Sequence, residues 1–208
     1  MVSYLNALST LLAVVSLCFL LAAMASWSAD QDTVESNFWV KGKGDQEVYF
    51  ALRAVTIKDG LRFKYSDCSA NSDICDKCEQ SGKTAMAFMV LAWVVCLVNV
   101  ICNGASISME GAVKWAAVGA SLAAALFSMA SFASFMASDC YDKIDDTYED
   151  VEYGPSAGLV LASLCLLVVG TLLSGVAALM PAAQPMASTG NVGAVEATAS
   201  PIGKNTEF

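Results

Sequence analysis

The chain has 208 residues, of which 56% are hydrophobic and only 15% charged, and its formal net charge is -9. This apolar excess disfavours a soluble domain. Histidine is absent, which excludes serine–histidine and cysteine–histidine nucleophile pairs, histidine metal sites and histidine pH switches.

Four stretches of the chain contain no charged residue: 1–29, 84–109, 115–138 and 153–195. Each has at least about 20 residues, enough for a helix to cross a hydrocarbon core about 30 Å thick. We therefore predict a membrane all-α four-helix bundle over residues 1–180, carrying a small antiparallel β-sheet in its first outer loop. The predicted spans are about 5–26, 84–104, 112–137 and 155–180, and the predicted outer loops are 27–83 and 138–154.

The first span has a competing interpretation as a cleavable signal peptide, because Ala23-Met24-Ala25 before Ser26 resembles a small-residue cleavage site. The stretch lacks a basic region at its start, and its apolar run is longer than an ordinary signal core. These features favour a retained membrane helix.

The first outer loop has the composition of a β-sheet. Three runs are rich in β-branched and aromatic residues and predict strands, at Asn37–Val40, Val48–Lys58 and Leu61–Tyr65. A two-residue turn at Asp59-Gly60 would place apolar residues opposite charged ones, so the alternation predicts a three-residue loop, 58–60. One face of this hairpin is apolar and needs cover, either from the membrane helices or from a partner.

Eight cysteines divide evenly between spans and loops. Cys18, Cys96, Cys102 and Cys165 fall within spans, whereas Cys68, Cys75, Cys78 and Cys140 lie in the two outer loops and indicate disulfides in an oxidising compartment. We therefore orient both loops outward and the termini in the cytoplasm. Four cysteines allow three connectivities; the spacing favours Cys68 with Cys78 and Cys75 with Cys140. Zinc binding is the competing interpretation.

The third and fourth spans carry small residues that predict close helix packing, within the bundle or between copies. These are Ala116, Ala120 and Ala124 in the third span, and Gly158, Ala162 and Gly170 in the fourth. Asn99, within the second span, predicts an interhelical hydrogen bond. Apart from Lys114 near the start of the third span, no span contains Asp, Glu, Lys or Arg, which disfavours a pump or transporter.

The second outer loop, from Ser138 to Gly154, contains seven acids and one base. Its acids are a candidate surface for cations or a basic partner, although a simply solvated loop is the alternative. The candidate interaction residues are Asp139, Asp142, Asp145, Asp146, Glu149 and Asp150. The segment 154–158 matches a Gly-x-Ser-x-Gly hydrolase pattern, but it lacks a histidine base and begins a membrane helix, so we expect no enzyme and no cofactor.

The tail, residues 181–208, is rich in Ala, Ser, Thr and Pro and is predicted to be disordered in the cytoplasm. Its last three residues have the hydroxyl–any–hydrophobic form of a PDZ ligand. In that interaction Phe208 fills the pocket and Thr206 forms a hydrogen bond.

The chain resembles the claudin and peripheral myelin protein superfamily, which includes receptor and calcium-channel regulatory subunits. Trp27 follows the first span, Cys68 and Cys78 are ten positions apart, Lys83 precedes the second span, and Glu152-Tyr153-Gly154 precedes the fourth. The family's Gly-Leu-Trp motif is missing, with Phe63-Lys64-Tyr65 in its place. The resemblance implies an outer sheet braced by a disulfide between Cys68 and Cys78.

We therefore expect a non-enzymatic membrane protein, most consistent with the plasma membrane, that mediates adhesion or barrier contacts through its outer sheet. The alternative is an auxiliary subunit of a larger channel, receptor or membrane complex. The expected partners are the lipid bilayer, other membrane proteins and a PDZ scaffold, with no nucleic acid and no metal.

Overall fold

A computed structural model describes residues 2–28, 30–58, 62–67, 72–106 and 111–180. Within them, four helices are long and apolar enough to cross a membrane, which confirms the predicted bundle. They are α1 (Val2–Met24), α3 (Ser72–Ala105), α4 (Ala112–Met136) and α6 (Pro155–Leu179). The outer loops add helices α2 (Gln31–Ser36) and α5 (Asp139–Thr147), and strands β1 (Val40–Lys43), β2 (Glu47–Phe50), β3 (Ala54–Ile57), β4 (Arg62–Lys64) and β5 (Asp150–Tyr153).

Helix α3 is longer than the predicted span, because it begins at Ser72 and has 34 residues. The turns before Thr84 contain charged residues such as Asp76, Lys77 and Glu79. A search for uncharged stretches therefore does not detect this part of the helix. The uncharged part, from Thr84 to Ala105, is about 33 Å long at 1.5 Å per residue, which matches the hydrocarbon core. Lys83 therefore lies at the boundary of the membrane on the side of the two long loops.

The four spanning helices form a closed ring in which α1 and α4 each pack against both α3 and α6. Each of these four contacts includes a hydroxyl or thiol that donates to a backbone carbonyl of the neighbouring helix. Such interhelical hydrogen bonds contribute to helix association in lipid. The donors are Ser9 to Gly170 (3.2 Å), Ser121 to Leu167 (3.2 Å), Ser131 to Ala85 (2.7 Å) and the Cys96 thiol to Ala13 (3.3 Å).

Apart from Ala125 in α4 and Ala157 in α6, the buried residues of the spanning helices recur at alternating spacings of three and four. In α1 they are Asn6, Ser9, Ala13, Ser16, Leu20 and Ala23; in α6 they are Ser156, Val160, Ser163, Leu167, Gly170, Ser174 and Ala177. The average spacing of 3.5 residues is the period of left-handed helix packing. Most residues in these seams are small, so the helix backbones can approach closely.

The predicted packing stripes differ from these seams. Ala124 and Gly170 are buried at helix contacts, Ala120 and Ala162 are half-buried, and Ala116 and Gly158 are exposed on the outside of the bundle. The physical reason is that each four-residue step advances a side chain by about 40° around the helix. A strict four-residue stripe therefore crosses the seam instead of following it.

The interhelical hydrogen bond predicted for Asn99 is made instead by Asn103, one turn further along α3. The side-chain amide of Asn103 donates to the Asn99 side-chain oxygen at 2.7 Å, within α3. The Asn103 side-chain oxygen in turn accepts the Ser174 hydroxyl of α6 at 3.2 Å, and the Ser174 and Ser9 hydroxyls lie 2.7 Å apart. This buried chain of polar groups joins α3, α6 and α1 and has a structural role.

The sheet is antiparallel with strand order β4-β3-β2-β1-β5. The predicted strand over Val48–Lys58 is two strands, separated by the tight turn 51–53, and the first predicted strand lies further along the chain, at Val40–Lys43. Val55 pairs with Phe63 and Thr56 with Arg62, which excludes the two-residue turn and agrees with the predicted three-residue loop. Asp59 and Gly60 of that loop lie outside the described residues.

Candidate functional site

The two long loops form one structural unit, here called the outer module (27–83 and 138–154) after the side of the bundle that the sequence predicts to face outward. Strand β5 of the second loop pairs with β1 of the first along its whole length, from Val40 opposite Tyr153 to Lys43 opposite Asp150. The Gly154 N–H continues this ladder by donating to the Trp39 carbonyl at 2.7 Å. The second loop is therefore an integral part of the sheet, which the sequence analysis missed.

A disulfide joins Cys78, near the start of α3, to Cys140 in α5. This corrects both predicted pairings, that of Cys68 with Cys78, which the spacing and the family resemblance favoured, and that of Cys75 with Cys140. The difference arises because Cys78 lies on a helix, whose buried face points toward α5. Cys75 is also disulfide-bonded. Cys68 lies outside the described residues. Because Cys75 and Cys78 each belong to a disulfide, neither has a free thiolate to bind zinc, and the zinc interpretation is wrong.

The apolar face of the sheet is covered in part by α5. Ile144 is buried beneath this helix, and the ring of Tyr148 packs edge-on against Phe50 with ring centres 5.8 Å apart. Gly42 permits this contact, because a Cβ at that position would lie 2.6 Å from the Tyr148 ring. The predicted need for cover is thus met largely from the second loop of the same chain.

The cover is incomplete and leaves an apolar cleft of about 210 Å³ between the sheet and α5. Phe63 at its edge is 38% exposed. The amine of Lys143 and the hydroxyl of Thr147 are among the few polar groups at the cleft. The lining residues are Val48, Phe50, Val55, Ile57, Phe63, Tyr65, Cys75, Lys143, Ile144, Thr147 and Tyr148.

The opposite face of the sheet carries a charge network centred on Glu47. Its carboxylate is 2.9 Å from the amines of both Lys41 and Lys58, and these hydrogen bonds lower the pKa of Glu47 to about 2. Part of this face is covered by α2, whose Val34 is buried with Ala51 and Ala54.

The predicted acidic residues of the second loop are all exposed, at α5 and β5. Asp139 pairs with Lys77 at 3.1 Å, and Asp150 pairs with Lys43 at 3.3 Å. The nearby Glu152 also forms an ion pair with Lys43. Four carboxylates make no ion pair within the described part of the chain: Asp142, Asp145, Asp146 and Glu149. The acidic field predicted from the sequence is therefore concentrated on the outside of α5 and the approach to β5.

The two edge strands of the sheet carry opposite charges. Strand β4, at one edge, has Arg62 and Lys64, which form no ion pair among the described residues. Strand β5, at the other edge, has Asp150 and Glu152 and adjoins the unpaired carboxylates of α5. Exposed aromatic side chains lie on both edge strands, Phe63 on β4 and Tyr153 on β5.

Ser156, at the centre of the hydrolase-like pattern, is completely buried, and its hydroxyl donates to the Asn37 carbonyl at 2.9 Å. It anchors the start of α6 to the first loop. Pro155 occupies the first turn of α6, where its missing N–H leaves no bond unmade. The proposed C-terminal ligand, Thr206 and Phe208, lies outside the described residues.

No protein-family model matches the chain, and no curated protein matches it significantly. The structure itself supports the broader conclusion that this is a membrane protein with four spanning helices and a disulfide-braced outer module.

Proposed function

We propose that the chain is a non-enzymatic plasma-membrane protein of claudin-like architecture that forms adhesive or barrier contacts through its outer module. The termini and the tail lie in the cytoplasm in this proposal. The observation that carries it is the pair of oppositely charged edge strands on one sheet, built from both loops. An edge strand exposes unpaired backbone groups and is a template for pairing with another chain.

A basic edge on one copy and an acidic edge on the next give a head-to-tail contact. Such a contact does not close on itself after two copies, so it produces rows of molecules in the membrane. Complementary charge favours this arrangement over edge pairing of like strands. Rows of outer modules on facing membranes are the arrangement that adhesion or barrier function needs.

The test is expression of the protein alone in non-adherent cells, followed by measurement of cell aggregation and freeze-fracture strands. We expect both in the wild type and neither in the double variant R62E/K64E or in D145K/D146K. The matched control is K114E, which reverses a charge near the other end of the bundle. Co-expression of the two variants restores contacts, because the acidic β4 of one attracts the basic α5 surface of the other.

The apolar cleft favours a second function, that of an auxiliary subunit of a larger membrane complex. Its lining is almost wholly apolar and open to an inserted side chain from a partner. Absence of cell clustering, together with co-purification of a larger membrane protein in fixed stoichiometry, would reject adhesion and support this alternative. The variant T147W, which fills the cleft mouth, then disrupts co-purification.

The C-terminal Thr206-Glu207-Phe208 supports a PDZ scaffold as the cytoplasmic partner in either function. A tail peptide ending in Phe208 is expected to bind PDZ domains, and the same peptide with Phe208→Ala is not. Equal binding of the two peptides contradicts the assignment.

A further inference from the structure

A second pocket lies apart from the apolar cleft, at the membrane boundary between α1 and α3. It has a volume of about 310 Å³ and is lined by Trp27, Leu52, Arg53, Ser66, Glu79 and Lys83. Trp27 ends the first apolar span, and Lys83 immediately precedes the uncharged part of α3. The pocket is therefore at the depth of the lipid headgroups, on the side of the outer module.

The backbone holds Arg53 firmly at this pocket. The adjacent Leu52 donates its N–H to the Ser26 carbonyl at 3.3 Å, and its own carbonyl lies directly on Gly82 of α3, where a Cβ would approach it to 1.9 Å. The Arg53 carbonyl accepts the Tyr65 N–H at 3.2 Å. The turn between β2 and β3 therefore packs between the end of α1 and the adjacent part of α3.

The pocket has a cation that lacks a carboxylate partner. The Arg53 guanidinium lies over the Trp27 ring, 5.7 Å from its centre, and makes no ion pair with the described residues. Lys83 is paired with Glu79 at 2.6 Å, so the pocket lining contains two cations and one carboxylate. A neighbouring groove continues along α3 past Asp76, Glu79, Gln80, Lys83 and Thr84.

We propose that this pocket binds the phosphodiester of a phospholipid headgroup, with Arg53 as the principal ligand and Lys83 as the second. A guanidinium donates two parallel N–H bonds to phosphate oxygens, and stacking on Trp27 orients it for that contact. The position at the membrane boundary supplies the lipid at high local concentration. This site combines the ends of two spanning helices with the turn between β2 and β3, and it does not rest on the adhesive function.

The test uses the full chain purified in a sugar-based detergent, with bound lipid counted by native mass spectrometry. We expect wild type to bind one dioleoylphosphatidylcholine per chain, and R53Q to bind it about tenfold more weakly. The control R62Q removes the same charge from an exposed arginine on β4 that does not line the pocket, and it retains the lipid. K83Q provides a second weakened variant should R53Q not fold.

Two further probes identify the source of the phosphate. Dioleoylglycerol has the same acyl chains without the phosphate, and we expect it not to bind at this site. Inorganic phosphate is expected to compete only at large excess. Equal lipid retention by R53Q and R62Q, equal binding of dioleoylglycerol, or displacement of the lipid by stoichiometric inorganic phosphate would each overturn the proposal.

Discussion

Single residues decide how closely the outer module approaches the membrane helices, and Gly154 is the clearest case. A Cβ at this position would lie 2.1 Å from the Phe38 carbonyl oxygen, a backbone atom that cannot move aside easily. We expect Gly154→Ala to lower the free energy of unfolding by about 1–3 kcal/mol or more, because the backbone must separate. The midpoint of thermal unfolding in detergent measures this effect.

Gly158, four residues further along α6, provides a matched control. The sequence predicts a packing role for it, but in the structure no atom lies within 4 Å of a Cβ placed there. Gly158→Ala should leave stability unchanged or raise it slightly, since alanine is the better helix former. A larger loss at Gly158 than at Gly154 would contradict the observed orientation of α6.

Glu47 makes the outer module sensitive to acid. Its pKa is lowered to about 2 by hydrogen bonds from Lys41 and Lys58. A lowered pKa means that Glu47 stabilises the fold fully above the ordinary glutamate pKa, and that this contribution is lost as the pH falls toward 2. Carboxyl NMR titration should show Glu47 still ionised at pH 3.

At the scale of elements, the disulfide determines how α5 is held on α3. Cys78 and Cys140 are separated by 62 residues, so the bond closes a long loop of the unfolded chain. We expect the double variant C78S/C140S to be less stable by about 2–4 kcal/mol. The control is C165S, which replaces a free cysteine in α6 that faces away from the bundle.

Peptide mapping without reduction gives a direct measurement of the same pairing. A linked peptide containing Cys78 and Cys140 is the expected product. A peptide in which Cys78 is linked to Cys68 would restore the pairing implied by the family resemblance and contradict the contact between α3 and α5.

The elements that can be predicted from the sequence are those whose buried residues give a simple pattern, either an absence of charge or a regular alternation. The four spans follow from the absence of charge, and the register of β3 and β4 follows from the alternation around Val55 and Phe63. Strand β5 carries acids at two of its four positions because it is an exposed edge, so its composition resembles that of a loop. A buried periodicity at Cys140, Ile144 and Tyr148 was available to predict α5, but seven acids nearby obscured it.

The buried sides of the spanning helices are also difficult to predict from the sequence. Small residues are abundant on all sides of α4 and α6, so their spacing alone does not identify the buried side. The alternating three and four spacing becomes visible only when serine and asparagine are counted with alanine and glycine. In lipid these polar residues lie inside, while large apolar residues such as Leu122, Leu126 and Leu172 face outward.

At the scale of the whole molecule, the outer module joins the first and second loops into one body. Strand pairing between β1 and β5, the Cys78–Cys140 bond and the packing of Tyr148 on Gly42 all connect the first loop to the second. Three independent connections mean that neither loop can move far without the other. A contact made at either edge strand therefore acts on the whole sheet.

This coupling predicts a single cooperative unit in hydrogen exchange. Amides of β1, β2 and β5 should show the same protection, since opening any one strand exposes the ladder of the next. The six-residue α2, which lies outside the strand ladder, should exchange much faster and serves as the internal comparison. Rapid exchange of β5 while β1 and β2 remain protected would show that the second loop detaches on its own. In that case charge reversals on α5 would change local contacts without altering the basic edge strand β4.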